Sequence, residues 1–315
     1  MKRVMIDTDP GIDDTAALLL ALASPELAVD AVTTVYGNGT IEQSTRNALI
    51  VLETAGRGDI PVHQGVAKPL LGEPHFAPHV HGDDALGDVG WPAPIGKPQP
   101  THAVRELVDW VMVHPGEITL VALGPLTNVA LALSIEPRMA SALAELIVMG
   151  GAVLTHGNVT EVASANLFND PEAAAIVYRS GTPLVQVGLD VCQKTTVTEA
   201  QLTHIRQAQT STTTLLTRIT PCLIRSYVDR GLMPCGAGVH YNDVAAIAYA
   251  IDPRLFEVWE CSVRIATHDP LTRGQTVADL ANRWRQPPTA KVPMGVDAAR
   301  LTELFTNRVI DYSRP

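Results

Sequence analysis

Residues 7–14 read DTDPGIDD, four aspartates in eight residues, with Val4-Met5-Ile6 directly before them and Ala16-Ala17-Leu18-Leu19-Leu20 directly after. The short apolar run reads as a buried strand and the longer one as a helix apolar on all sides, so the acidic stretch is the turn between them. Pro10 and Gly11 suit a tight turn, and a helix starting near Ile12 offers free backbone N–H groups to carboxylates. Capping needs one acidic side chain, and this turn has more than that. Carboxylates gathered so closely repel one another unless a cation holds them. Every candidate ligand is an oxygen, so the expected ion is a hard divalent one, Ca²⁺ or Mg²⁺.

Outward from this turn the pattern repeats. Residues 27–36 (LAVDAVTTVY) read as a second strand closed by Gly37-Asn38-Gly39, residues 42–55 as a helix, and Ile60-Pro61-Val62 as a short third strand. Strands at 119–122, 146–149 and 183–188 alternate with helices at 103–114, after the GPLTN stretch of residues 124–128, and from 198 to about 230 with a break near Thr210–Thr214. Strands near 256–265, a turn at Gly274 and a helix from Asp297 follow. No repeat, low-complexity tract or linker interrupts the chain. The alternation predicts an α/β fold, a single domain over residues 1–315 with a mostly parallel, Rossmann-like central sheet flanked by helices. Ligands of such sheets bind beyond the carboxyl ends of the strands, which places Asp9, Asn38, Thr127 and Met149 along one edge.

Residues 64–100 break the rhythm with glycines, prolines and histidines, and a structureless stretch of this length is expected to be a functional loop over the site. His75, His79 and His81 have neither a cysteine nor a clear helix to set zinc geometry, and His81 is the one expected to touch substrate. Asn158 and Asn166 carry paired donors and acceptors suited to hydroxyls. Asp170-Pro171 reads as an N-cap followed by Pro at the first helical position, which assigns Asp170 to structure. Asp243 heads the apolar helix that follows His240-Tyr241-Asn242, and those neighbours favour a functional role over a cap.

A formal charge of −10 over 315 residues leaves no basic footprint for nucleic acid or an anionic membrane. No window reaches the ~20 apolar residues of a membrane span. The four cysteines, Cys192, Cys222, Cys235 and Cys261, form no metal or CxxC spacing and are expected to be reduced thiols in a cytoplasmic protein. The start, Met1-Lys2-Arg3, runs straight into the first strand with no signal-peptide pattern.

Taken in order, DTDPGIDD (7–14), VTTVYGN (32–38), HGDDALGD (81–88), GPLTN (124–128), VMGGA (148–152), NDPEAA (169–174) and TRGQTVADL (272–280) resemble the inosine-uridine-preferring nucleoside hydrolase family. The resemblance covers nearly the whole chain and implies that family's fold and hydrolysis of the N-glycosidic bond of ribonucleosides to ribose and free base. It implies a Ca²⁺ ion held by Asp9, both carboxylate oxygens of Asp14, the Thr127 carbonyl and Asp243. Asp9 would be the general base on the ion's water, and direct attack by that water would invert the anomeric centre. By the same resemblance Asp13 and Asn166 hold the ribose 2′ and 3′ hydroxyls, Asp243 shares a hydroxyl with the ion, Asn38 and Met149 line the pocket, and Asn158 approaches the 5′ side. Asp7 is expected to support the turn. The partners implied are a small-molecule nucleoside and further copies of the chain, in a homodimer or homotetramer.

The chain departs from the family pattern at two positions. Asn242 stands where a histidine serves as leaving-group acid, and an amide cannot deliver a proton near neutral pH, which leaves His240 or His81 as candidates. Ser164 stands where a glutamate binds the 5′-hydroxyl, which predicts an altered sugar or 5′ preference. Two other readings are open to these residues: a metal-dependent phosphohydrolase using Asp7 or Asp9, and a nucleoside- or sugar-binding protein without turnover.

Overall fold

A computed structural model describes residues 1–312. Its strands are β1 (Lys2–Thr8), β2 (Leu27–Thr34), β3 (Val62–Gln64), β4 (Ile118–Ala122), β5 (Glu145–Met149), β6 (Leu184–Val187), β7 (Thr196–Val197), β8 (Val239–His240), β9 (Phe256–Cys261), β10 (Val263–Ile265), β11 (Thr276–Ala278) and β12 (Ala290–Val296). Its helices are α1 (Ile12–Leu22), α2 (Ile41–Thr54), α3 (Pro78–His81), α4 (Ala103–Val113), α5 (Thr127–Ile135), α6 (Met139–Ala142), α7 (Ala165–Asn169), α8 (Pro171–Tyr178), α9 (Leu189–Cys192), α10 (Glu199–Gln207), α11 (Ser211–Asp229), α12 (Val244–Ile251) and α13 (Ala298–Asp311).

One eight-stranded sheet, ordered β3-β2-β1-β4-β5-β6-β12-β9, organises the chain. All of its pairings are parallel except β12 with β9 at the edge. Period-two alternation splits the apolar residues between two cores. Val4, Ile6, Val121, Ile147 and Met149 face the layer of α1, α2 and α11–α13, whereas Met5, Leu120, Leu146 and Val148 face that of α4, α5 and α8. Helix α1 is buried from Ile12 to Ala21, as its all-round apolar pattern predicts. The sheet is therefore covered on both faces, and its exposed chemistry is confined to the loops at its ends.

Several expectations needed correction. The third strand begins at Val62, after Pro61, because proline has no N–H to give a ladder. The long loop contains a single helical turn, α3. Strand β12, absent from the sequence reading, carries Pro293 and Gly295, residues that argue against a strand; both sit at a register shift opposite β9. Strand β10 lies within the 256–265 stretch read as strand, whereas its partner β11 and the small pair β7–β8 escaped the pattern. The break between α10 and α11 falls at residues 208–210, slightly ahead of the 210–214 expected, with Thr210 capping α11 through Thr213 N. The four cysteines are free thiols.

Candidate active site

The chain leaves β1 at Thr8 and turns through Asp9, Pro10 and Gly11 into α1. Asp14, in the first turn, reaches back to accept the Gly11 N–H on Oδ2 at 3.1 Å, while its Oδ1 accepts the Thr8 hydroxyl at 2.5 Å. Asn38, beyond the end of β2, joins the two acids. Its backbone N–H donates to Asp9 Oδ2 at 2.7 Å, and its amide Nδ2 donates to the Asp9 carbonyl at 3.1 Å and to Asp14 Oδ2 at 2.9 Å. Two glycines wall in Asp9. A Cβ on Gly124 would stand 2.5 Å from Asp9 Oδ1, and one on Gly37 would overlap Oδ2 more severely.

Carboxylate oxygens of Asp13, Asp14 and Asp243 lie within 4.8 Å of one another. Asp9 faces the same group. Burial, then the charges of Asp14 and Asp13, hold its carboxyl well above the usual range. Asp243 is raised likewise, by burial first and then by Asp14, Asp13 and Asp9. Burial brings Asp13 and Asp14 up to about 6. Asp9 Oδ1, Asp13 Oδ1 and the Asn242 Oδ1 are buried without a hydrogen-bond partner. Among the described residues no lysine or arginine forms an ion pair with any of the four acids. Buried oxygens of one sign with nothing to satisfy them fit a divalent cation, and the donor set is all oxygen.

Thr127 opens α5, and two buried acids fix that helix start. Asp170 Oδ2 accepts the Thr127 hydroxyl at 2.7 Å while its Oδ1 caps α8 through Ala173 N at 3.0 Å. Asp170 is the cap expected, and it also holds the Thr127 turn. Asp7 does not support the acidic turn. It lies within β1, where Oδ1 accepts the Thr33 hydroxyl at 2.6 Å and Asn128 Nδ2 at 2.8 Å, tying β1 to β2 and to α5. Burial pushes the Asp7 carboxyl up to about 7.

A cleft of about 230 Å³ opens over the acids. Asp9, Asp13, Asn38, His81, Met149, Asn158, Ser164, Asn166, Asn242 and Asp243 line it, with Asp14 and Thr127 buried behind. His240 is a correction: it is not among the lining residues. On β8 its Nδ1 stands 3.4 Å from the Thr195 carbonyl, and its ring meets the Tyr227 ring at 5.8 Å. A larger depression, of about 720 Å³, lies at the opposite, amino ends of β5 and β6 and contains none of these acids, so size alone does not locate the site.

His81 comes from the long loop, and its Nδ1 accepts the Ile12 N–H at 3.1 Å, so the neutral ring carries its proton on Nε2. Burial lowers its pKa to about 4. Asn166 Nδ2 donates to the carbonyls of Leu123 and Met149, leaving Oδ1 as an acceptor. Asn158 Oδ1 accepts the Ala165 N–H at 2.9 Å, and Ser164 Oγ accepts the Gly151 N–H at 2.7 Å. Asn242 Nδ2 donates to the Tyr227 hydroxyl at 3.4 Å.

Sequence reading missed His75, Phe76, Asn169, Tyr227 and Arg230 as cleft residues. The first two stand in the loop of residues 64–100 and the last two in the stretch from Arg225 to Gly231, segments expected from the sequence to bear on base preference but without a pattern that singles out a residue. Asn169 was passed over as the residue before an evident cap.

The profile of the family described as "Inosine-uridine preferring nucleoside hydrolase" matches residues 4–303. The chain is 38% identical over 320 residues to a protein of Arabidopsis thaliana named "Probable uridine nucleosidase 2", covering 98% of each. It is 38% identical over 283 residues to the "Inosine-uridine preferring nucleoside hydrolase" of Crithidia fasciculata, covering 89% of each. The solved structure of a plant nucleoside hydrolase, PpNRh1, superposes with a TM-score of 0.94 at 36% identity, covering 98% of this chain and 99% of that one.

Proposed function

This chain belongs to the inosine-uridine preferring nucleoside hydrolase family and hydrolyses the N-glycosidic bond of ribonucleosides, and from that premise we propose that it does so with Ca²⁺ and with Asp9 as general base. The observation that carries the proposal is the set of three buried, unpartnered oxygens, Asp9 Oδ1, Asp13 Oδ1 and Asn242 Oδ1, facing one acid-lined cleft. Asp9, Asp14, Asp243 and the Thr127 carbonyl would hold the ion, and Asp13 stands close enough to join them or to bind sugar. When bound, the ion supplies acidity to a coordinated water and a contact for sugar hydroxyls.

The remaining chemistry belongs to the side chains. Asn38 N–H pins Asp9 Oδ2, which leaves Oδ1 free to accept the proton of the attacking water. Asp13 and Asn166 Oδ1 accept hydrogen bonds from the ribose 2′ and 3′ hydroxyls. Departure of the base builds positive charge on the ribose, and the buried carboxylates oppose that charge where water is scarce. Neutral His81 can donate a hydrogen bond from Nε2 to the departing base, but it holds no acidic proton near neutrality. His240 is not among the cleft residues and Asn242 has no acidic proton, so in this reading the base leaves by hydrogen bonding without a histidine acid at either position.

Ser164 is the 5′ determinant in this reading. A short hydroxyl fastened to Gly151 N replaces a charged acceptor, so the 5′-hydroxyl contributes little. Equal efficiency on inosine and 5′-deoxyinosine would support this, and a large loss on the 5′-deoxy substrate would sink it.

The deciding experiment measures reducing-sugar release from a nucleoside panel with and without a calcium chelator. Chelator-sensitive ribose release is expected, and it should vanish in Asp9→Ala while the fold survives. Nucleoside binding without ribose would instead mark a binding protein, and phosphate release from a phosphomonoester a phosphohydrolase. The proposal extends to a cytoplasmic homodimer or homotetramer, which light scattering and fractionation would test. Among the described residues no helix is long and apolar enough to cross a membrane.

A further inference from the structure

Asn169 closes α7, the helix that carries Asn166, yet its own side chain serves the long loop. Its Oδ1 accepts the His75 N–H at 2.9 Å and its Nδ2 donates to the His75 carbonyl at 3.2 Å. Both polar groups of one buried amide thus pair with both backbone groups of one residue, as a neighbouring strand would. One position on, Asp170 Oδ2 accepts the Leu70 N–H at 2.8 Å. At the other end, Ala77 N–H donates to the Asn38 carbonyl at 3.1 Å. Residues 70–77 are therefore pinned at three points, each on a residue that also builds the site. Asp170 holds Thr127, Asn169 ends the helix of Asn166, and Asn38 holds Asp9.

Between the pins, two rings reach the cleft. The His75 ring packs on Phe168 at 4.9 Å between centroids, and Phe76, 40% exposed, lines the cleft. An aromatic face at the mouth of a polar cleft is a surface for a flat, partly apolar group. The substrate's nucleobase is such a group, and with the ribose over the acids it would project away from them.

We propose that Asn169 is a positioning residue for nucleobase binding: by clamping the peptide groups of His75 it sets Phe76 against the base. The inference rests on the nucleoside hydrolase activity and on none of the metal assignments. Asn169 lines the cleft but has both polar groups spent on His75, so it has neither to offer the base or the bond that breaks. Its effect therefore falls on ground-state binding, shared by substrate and transition state, and so on KM.

The test is steady-state kinetics of Asn169→Ala, Phe76→Ala and the double variant on inosine and uridine, with amide exchange read over residues 70–77. Loss of two hydrogen bonds should raise KM about ten-fold with kcat changed less than about two-fold, and exchange should accelerate. In the Phe76→Ala background Asn169→Ala should add almost nothing, because the two act through one contact. Wild-type KM and exchange in Asn169→Ala would overturn the proposal. So would a fall in kcat at constant KM, or effects that multiply in the double variant. If Asn169→Ala fails to fold, Asn169→Ser, which can keep one of the two bonds, is judged by the same outcomes at roughly a three-fold KM change. Chelator sensitivity is read separately, so failure here leaves the calcium proposal standing.

Discussion

Asn38 and Asp9 are joined twice, backbone N–H to Oδ2 at 2.7 Å and side-chain Nδ2 to the Asp9 carbonyl at 3.1 Å, and the same Nδ2 reaches Asp14. Asn38 therefore links two acids whose like charges repel. Asn38→Ala keeps the backbone bond but takes from Asp14 one of its three donors, leaving Thr8 and Gly11, and calcium affinity should fall about ten-fold, in line with losing a bond to a charged group. Asn38→Asp should be worse, since it adds a further negative charge. Titration calorimetry with calcium checks both, and unchanged affinity in Asn38→Ala would remove Asn38 from the site.

Gly124 and Gly37 leave no room beside Asp9. Because both glycines have ordinary backbone angles, an alanine there fails by contact with the carboxylate and not by backbone strain. Gly124→Ala and Gly37→Ala should fold with losses of about 1–3 kcal/mol, the usual range for overpacking, and lose most hydrolysis. Thermal melts beside ribose release separate the two effects. Full activity in either variant would show that Asp9 need not stay where it is.

The acids also fix how stability depends on pH. Asp7, Asp13 and Asp14 stand at about 7, 6 and 6, above the ordinary 3.8, and Asp9 and Asp243 are raised in the same direction. The folded metal-free chain therefore binds more protons than the unfolded chain between about pH 4 and 7. It gains stability as pH falls through that window. His81, at about 4 when folded and 6.5 otherwise, works against this and removes stability below about pH 6.5, but the acids outnumber it. In chelator, Tm should rise from pH 7.5 to 5.5. With saturating calcium the ion replaces the protons, and the rise should flatten or reverse. A fall of Tm in chelator over that interval would contradict the cluster as described.

His81 accepts from Ile12 N–H at the start of α1. His81→Ala leaves that buried donor without its partner, at a cost of about 1–3 kcal/mol. The expected signature is a lower denaturant midpoint with an unchanged m-value, together with weaker nucleoside binding. A wild-type midpoint would mean that water replaces the ring.

Asp170 accepts from three donors, on α8, on α5 and in the long loop: Ala173 N–H, the Thr127 hydroxyl and Leu70 N–H. Asp170→Ala should cost more than the ~1 kcal/mol of an ordinary cap and should also weaken calcium binding by releasing the Thr127 turn. Asp170→Asn, which keeps one acceptor oxygen, should fall between the two. Loss of stability without loss of calcium affinity would confine Asp170 to the cap.

The sequence made the parallel core and the acidic turn legible for the same reason. Both are written in contiguous residues, apolar runs for β1, β4 and β5 and DTDPGIDD for the turn. Strand β12 was hidden because Pro293 and Gly295 are tolerated only at its irregular register with β9, a tertiary circumstance. Asp7, Asp9, Asp13 and Asp14 are chemically identical in the sequence, and only the partners Thr33, Asn128, Asn38 and Thr8 separate the structural acid from the others. His240 and His81 looked equally available for the departing base until strand pairing turned one ring toward Thr195. Asn169 carried no local signal, since its partner lies 94 positions earlier.

The pinned segment at residues 70–77 separates two kinds of change. The acids stand on the sheet and the helices packed against it, where substitutions meet a full core, while the surface that meets the base is a stretch of coil fastened at Leu70, His75 and Ala77. Phe76 stands between two of those fasteners and lines the cleft, so in the proposed binding mode its ring can be exchanged to alter the fit of the base while the fasteners and the acids stay in place.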